Sequence, residues 1–154
     1  NNIEISFIGR ILDDEFYQNQ LEQSLNIPNL SWLGSLPQAK VWSHLMNCDI
    51  LICSSRDETG PLVVYEAMSL GKVVISTPVG AVPEIIKHNK NGLVFKEENQ
   101  NELATFISEL SLDRARVERL GKKAYKTYKK KLTKKISNEK IFKMISNIIR
   151  NKSK

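Results

Sequence analysis

The sequence predicts an α/β protein in which a parallel sheet is covered by helices on both faces and a helical C-terminal tail follows. Two patterns predict this class. Up to Phe95, short apolar runs alternate with longer stretches of helical periodicity, and strands that alternate with helices pair in parallel. After Phe95 only helical periodicity remains, which predicts the tail. The length of 154 residues has room for one domain.

The predicted strands are short segments rich in apolar residues, and the most continuous apolar run among them is typical of a strand buried on both faces. The clearest example contains Ile50, Leu51 and Ile52 between the polar residues Asp49 and Ser54. The five strands are predicted at residues 3–9, 30–33, 49–54, 73–77 and 93–95.

Helices are predicted between these strands, where apolar residues recur three or four positions apart. The helix at residues 62–70 has the clearest ends. Thr59 is its predicted N-cap, Pro61 suits the first turn because proline has no N–H to satisfy, and Gly71 follows the last turn. The four helices of this part are predicted at residues 13–25, 38–47, 62–70 and 82–87.

Three helices are predicted after the last strand, at residues 102–112, 113–130 and 138–150. The first has a core-facing stripe formed by Leu103, Phe106, Ile107 and Leu110. The last has Asn138 as its predicted N-cap and an apolar face formed by Ile141, Phe142, Ile145, Ile148 and Ile149.

Glu58 and Glu66 flank the turn from the third strand into the helix at residues 62–70. The first amides of a helix are unpaired and attract anions, and the helix-end dipole contributes about 0.3–1 kcal/mol in an exposed setting. Helical side chains lean toward the N-terminus, so the Glu66 carboxylate can reach a ligand there and accept hydrogen bonds from two adjacent ribose hydroxyls. Glu58 would lie nearer the sugar end. The pattern indicates a nucleotide-sugar site, whereas a solvated Glu58 and a Glu66 in an ion pair with a neighbouring helix are the structural alternatives.

The segment from Ser54 to Gly92 resembles the donor-binding half of retaining GT-B glycosyltransferases of the group 1, or family 4, type. The resemblance covers residues 3–150 and rests on matches that include the two glutamates separated by seven residues. The other matches are the Glu66-Ala67-Met68 step, Gly71, the strand 73–76, Gly80, Pro83-Glu84, Asn91-Gly92-Leu93-Val94 and Leu30-Ser31-Trp32-Leu33-Gly34. The resemblance implies a Rossmann-like sheet that is one half of a GT-B fold.

The resemblance also implies roles for individual residues. Glu66 matches the glutamate that binds the ribose, and Glu58 matches the catalytic position near the transferred sugar. The loop facing the diphosphate and sugar corresponds to Thr59, Gly60, Pro61 and Leu62, and the region bordering the base corresponds to Gly34, Ser35 and Leu36. Where the family has a bulky aromatic residue and a glycine, this chain has Gly60 and Pro61, so one amide donor is absent.

A second departure concerns the Arg and Lys that hold the diphosphate in the family. Gly9-Arg10 resembles the Gly-Arg part of that motif, but Gly34 follows too soon for two strand–helix units, and no lysine occurs between Arg10 and Lys40. We therefore expect residues 1–112 to form a donor-binding core that lacks its first strand–helix unit. Residues 113–154 would be basic helices packed on the same domain. Arg10 is either a donor contact or a solvated charge.

The function that the resemblance implies is transfer of a sugar from a nucleotide diphosphate sugar to a hydroxyl acceptor with retention, in surface polysaccharide or glycolipid synthesis. The enzyme would be of the hexosyltransferase type, with no cofactor and no essential metal. The chain would lack its N-terminal acceptor domain and be inactive alone. The alternatives are a stand-alone regulatory module that binds nucleotide sugars and one half of a GT-B epimerase. Cys48 and Cys53 lack the second pair that a zinc site needs, so no metal site is predicted.

Charge is divided unevenly along the chain. Residues 113–154 carry 16 Lys/Arg against 3 Asp/Glu, whereas residues 1–112 carry 7 against 14. The basic tail favours either an anionic membrane surface as partner or a simple solvated helix face. Nucleic acid is not expected, because no stacking aromatics alternate with Lys129-Lys130-Lys131. No signal peptide and no apolar run of about twenty residues occur, so a cytoplasmic protein is predicted, with peripheral contact at the inner face of the membrane as an option.

Overall fold

The computed structural model describes residues 3–10, 14–24, 27–139 and 142–143. The chain forms two compact units, residues 1–47 and 48–154. The first unit contains two strands and two helices: β1 (Ile5–Ile8), α1 (Asp14–Ser24), β2 (Leu30–Gly34) and α2 (Gln38–Asn47). The second contains β3 (Ile50–Cys53), α3 (Leu62–Ser69), β4 (Val73–Ser76), α4 (Val82–Ile85), β5 (Leu93–Val94), α5 (Gln100–Leu112) and α6 (Arg114–Lys131).

All strand pairings are parallel, which confirms the predicted α/β class. In the first unit β1 pairs with β2, and in the second unit the strand order is β3-β4-β5. The described strands thus form two sheets. All four residues of β4 are buried, and because side chains alternate along a strand, both faces of β4 are covered. The boundary after Asn47 was not predicted.

The core of the second unit lies between its sheet and the helices α5 and α6. It contains Val73 and Ile75 of β4 together with Leu93 of β5, and the helices add Leu110 and Leu120. Leu103, Phe106 and Ile107 pack against this cluster, which confirms the predicted stripe on α5. The tail helices therefore belong to the same unit as strands β3 to β5.

Several predicted boundaries were wrong for local reasons. Helix α4 ends at Ile85 because Ile86 is extended and the Lys87 amide donates to the Asn91 side chain rather than continuing the helix. Helix α5 begins at Gln100, with the Asn99 side chain accepting from the Glu102 amide at 3.1 Å.

The last predicted helix lies mostly outside the described residues. Four residues of its predicted apolar face also lie outside them: Ile141, Ile145, Ile148 and Ile149. Asn138 lies inside a helical stretch at residues 134–139 and is not its N-cap. Within the described part of the chain, no helix combines the length and the apolarity needed to cross a membrane.

Candidate functional site

Residues 54–61, here called the glutamate loop, join β3 to α3. The loop leaves the carboxyl end of β3, and the turn at residues 79–81 leaves the neighbouring parallel strand β4 on the same side. The two segments therefore meet at the carboxyl edge of the three-stranded sheet, where ligands bind in open α/β sheets.

Gly80 fixes the glutamate loop against the turn that follows β4. A methyl group added at Gly80 would lie less than 3.0 Å from backbone atoms of Glu58 and Thr59, and the φ of +49° at this position favours glycine. The next amide, that of Ala81, donates to the Thr59 carbonyl at 3.2 Å. The loop backbone thus rests directly on the turn.

A short chain of hydroxyl groups holds the other end of the loop. The buried Thr77 hydroxyl donates to the Ser55 carbonyl at 2.6 Å. The Ser55 hydroxyl in turn donates to the Glu58 carboxylate at 3.4 Å, a long and therefore weak hydrogen bond. Together with Gly80, Thr77 and Ser55 position Glu58, which is exposed and therefore accessible to a ligand.

Arg56 does not neutralise Glu58. Its guanidinium pairs with Glu98 at 2.9 Å and lies 3.9 Å from Glu97, both in the segment between β5 and α5. These ion pairs are exposed and contribute little to stability, but they keep the loop's own cation occupied.

Helix α3 begins at Leu62 without a side-chain cap. Pro61 is the N-cap residue and has no side-chain hydrogen bond to the helix, so the prediction of Thr59 as N-cap and Pro61 in the first turn was wrong. The reason is that the Thr59 carbonyl is bound by Ala81 and the turn holds Thr59 away from the helix. Val64 donates to the Pro61 carbonyl at 3.0 Å, whereas the amides of Leu62 and Val63 have no acceptor among the described residues. These amides can bind an anion.

Glu66 lies one turn into α3 and is half-buried. Its carboxylate forms neither a hydrogen bond nor an ion pair with the described residues, so the alternative of an ion pair with a neighbouring helix is not observed. Gly71, at the other end of this helix, has the positive φ of +69° expected just past a helix terminus. A carboxylate without a partner among the described residues is available to accept hydrogen bonds from hydroxyl groups.

The remaining predicted donor-binding residues lie in the first unit. Gly34 has φ +62° at the end of β2, and its carbonyl accepts from the Gly9 amide at 2.9 Å. Ser35 is exposed and Leu36 is half-buried. Arg10 is exposed and has no hydrogen bond or ion pair within the described residues. Their part in donor binding stays a prediction.

Two cysteines lie at or near β3: Cys48 precedes the strand and Cys53 is its last residue. Burial raises the pKa of the Cys48 thiol and the Asp49 carboxylate adds to the effect, while the Lys72 ammonium and backbone amides oppose it. Cys53 is buried, with its sulfur 3.7 Å from the Ser55 hydroxyl oxygen. Among the described residues, no three His, Cys, Asp or Glu side chains are grouped to hold a metal ion.

Sequence reasoning missed Gly80, Thr77 and Ser55 as positioning residues. Gly80 is among the residues that carry the family resemblance, but the contact that requires a glycine there comes from residues more than twenty positions earlier. Two cavities of about 440 and 470 Å³ occur in the second unit, and neither is lined by Glu58 or Glu66. Residues 56–59 of the glutamate loop are exposed.

Residues 1–127 match the family model for glycosyl transferases group 1. An uncharacterized glycosyltransferase of Methanocaldococcus jannaschii is 31% identical over 110 residues, which cover 70% of this chain and 31% of that protein. The chain therefore spans about a third of the length of this relative.

Two solved structures show the same fold. The crystal structure of HepE from Anabaena in complex with UDP has a TM-score of 0.81 at 21% identity, over 94% of this chain and 41% of that one. The C-terminal domain of a group 1 glycosyl transferase from Francisella tularensis has a TM-score of 0.70 at 23% identity, over 79% of this chain and 63% of that one.

Proposed function

This chain belongs to the group 1 glycosyl transferase family, and we propose that it is the donor-binding half of a retaining enzyme that moves a sugar from a nucleotide diphosphate sugar to a hydroxyl acceptor. One observation carries the proposal: the segment that follows the carboxyl end of β3 contains an uncapped helix start, the exposed carboxylate of Glu58 and the half-buried carboxylate of Glu66. Amides suit a diphosphate, and carboxylates suit sugar hydroxyls. The relative HepE was crystallised with UDP, which agrees with such a donor.

In this proposal Glu66 binds the ribose and Glu58 contacts the transferred sugar. Glu66 is on a helix and has no competing partner within the described residues. Glu58 is on the loop that Gly80 and Thr77 hold in place. The amides of Gly60, Leu62 and Val63 face the diphosphate and sugar, and Pro61 contributes none.

The chain covers 41% of HepE. We propose that a further domain supplies the acceptor site, and that the chain alone binds donor without transferring it. A role in surface polysaccharide or glycolipid synthesis at the cytoplasmic side of the membrane is part of the same proposal.

Isothermal titration calorimetry with UDP-, GDP- and ADP-sugars tests donor binding. Glu66→Ala should weaken the preferred donor by about 1–3 kcal/mol, as expected for lost hydrogen bonds to a charged group. Glu22→Ala, which removes an exposed glutamate of α1, is the matched control and should leave affinity unchanged. Equal affinity of the Glu66 variant and the unaltered chain would refute the ribose role.

The role of Glu58 is tested with the complete enzyme. Glu58→Ala should reduce the rate of sugar transfer more than it reduces affinity for the bare nucleoside diphosphate, because only the sugar contacts Glu58. Chelation by EDTA should leave transfer unchanged, since no essential metal is proposed. An equal loss of transfer and nucleotide binding would contradict the division of roles between the glutamates.

A further inference from the structure

We propose that a lysine pocket on the opposite edge of the second unit docks the protein on an anionic phospholipid surface. The cavity of about 470 Å³ has Asn91 and Thr127 in its wall and is lined by six lysines: Lys87, Lys90, Lys123, Lys126, Lys130 and Lys131. The inference deepens the proposed location at the membrane, but it does not rest on donor binding, because it uses none of the residues of the glutamate loop.

The position of the pocket follows from the path of α6. Its first residue, Arg114, pairs with Asp49, which precedes β3. Gly121 lies against Gly71, just before β4, and Thr127 accepts a hydrogen bond from Asn91, just before β5. Helix α6 thus crosses the amino ends of all three strands, and the glutamate loop leaves the carboxyl end of β3. A membrane surface that binds at the amino edge of this sheet therefore leaves the glutamate loop accessible.

The two elements that carry the lysines are joined by a buried amide. The Asn91 side chain donates to the Thr127 hydroxyl at 3.0 Å and to the Ile85 carbonyl at 2.9 Å, and it accepts from the Lys87 amide at 2.7 Å. Asn91 is only 6% exposed. These bonds hold the loop with Lys87 and Lys90 beside α6, so the cations are gathered before any ligand binds.

The pocket residues of α6 share one face of the helix. Lys123, Lys126, Thr127 and Lys130 are spaced at i, i+3, i+4 and i+7, and Lys131 follows. None of the six lysines forms an ion pair with the described residues, although the Lys87 ammonium donates to the Pro83 carbonyl at 2.9 Å. Six exposed cations without an acid partner repel one another, and nearby anions relieve that repulsion.

The chemistry of the cations favours a lipid surface as the partner. All six are lysines, whose ammonium groups are point charges on flexible stems, whereas arginine would fix one phosphate through two parallel hydrogen bonds. Flexible point charges suit an array of phosphodiesters such as the headgroups of an anionic leaflet. Base stacking, which single-stranded nucleic acid binding requires, has no aromatic residue in the lining.

Flotation of the full 154-residue chain with vesicles tests the proposal. The chain should float with vesicles of phosphatidylglycerol and phosphatidylcholine and not with phosphatidylcholine alone, and added salt should release it. Lys126→Gln with Lys130→Gln should lower the partition coefficient about thirtyfold, from the usual contribution of two basic residues near an anionic leaflet. Lys87→Gln with Lys90→Gln should do the same.

The control removes the same charge elsewhere. Lys40→Gln with Lys122→Gln should change partitioning less than about threefold, because Lys40 is on α2 and Lys122 lies outside the pocket, paired with Glu118 on α6. Melting temperatures by circular dichroism should be equal for all variants, since every substituted side chain is exposed.

Four outcomes overturn the proposal. The first is that the unaltered chain does not float with the vesicles, which would indicate that the lysines only form a solvated surface. The second is an equal loss in the control and pocket variants, which would indicate net charge alone. The third is tight, pocket-dependent binding of inorganic pyrophosphate without vesicle binding, which would indicate a small-anion site. The fourth is that a single-stranded RNA displaces the chain from the vesicles and that RNA binding depends on the same lysines, which would indicate a nucleic-acid site.

Discussion

Substitution of Gly80 by alanine tests whether the turn after β4 positions the glutamate loop. Two costs follow from the structure. A non-glycine residue at φ +49° costs about 1–2 kcal/mol, and forcing a methyl group into close-packed surroundings costs about 1–3 kcal/mol more. The second cost falls on the backbone of Glu58 and Thr59, which must move away. We therefore expect Gly80→Ala to destabilise the protein by about 2–5 kcal/mol and to displace the glutamate loop.

Gly71→Ala is the matched control in the same unit. Gly71 has φ +69°, but a methyl group there would meet its nearest atoms at 3.7 and 3.8 Å, which is ordinary contact. It should cost only the conformational term of about 1–2 kcal/mol. Urea unfolding measures the stability of both variants, and calorimetry measures their affinity for the donor. The affinity should fall about tenfold or more for Gly80→Ala, as expected for the loss of one hydrogen bond to a charged group. It should stay unchanged for Gly71→Ala. Equal destabilisation of both variants together with unaltered donor affinity would refute the positioning role.

Two further predictions concern the packing of the second unit. Gly121→Ala should lower the free energy of unfolding, measured in urea, by at least about 1 kcal/mol, although alanine has a better helix propensity than glycine. The reason is that the new methyl group would lie less than 3.0 Å from the Gly71 carbonyl oxygen. Unchanged stability would show that α6 can shift to make room for the methyl group. Cys48 should react slowly with iodoacetamide near neutral pH, because burial raises the pKa of its thiol and only the thiolate reacts. Its rate should rise as the pH increases and when urea unfolds the chain, as followed by peptide mass spectrometry. A folded-state rate equal to that in urea would contradict this account of Cys48.

Local patterns in the sequence predicted the elements well. The bounds of α2 were predicted to the residue, and β3, α3 and β4 differ from prediction by one residue at their ends. These segments have a clear periodicity of apolar residues and clear terminating residues, such as Gly71 after α3. Residues that are close in sequence therefore suffice to determine where these elements begin and end. The assignment to the group 1 glycosyl transferases, which the match of residues 1–127 confirms, was carried mainly by residues 54–92.

Contacts between distant segments were beyond prediction. Thr59 failed as an N-cap because its carbonyl binds the Ala81 amide, twenty-two positions later in the chain. Helix α4 was shorter than predicted because the Asn91 side chain takes the Lys87 amide. The lysine pocket likewise combines a loop with a helix that begins some twenty residues later, and charge counting located only its helical half.

The charges around the glutamate loop limit what the second unit can do with a donor. Glu58 and the neighbouring Asp57 are exposed carboxylates, and Arg56 is occupied by Glu98. A diphosphate at this loop would therefore bind to uncharged amides close to negatively charged side chains. The helix dipole would favour its binding by only about 0.3–1 kcal/mol. In the proposed function, we expect tight binding of the diphosphate to need a cation from outside the loop. An exposed candidate in the second unit, without an ion pair in the described part of the chain, is Lys96, which follows β5.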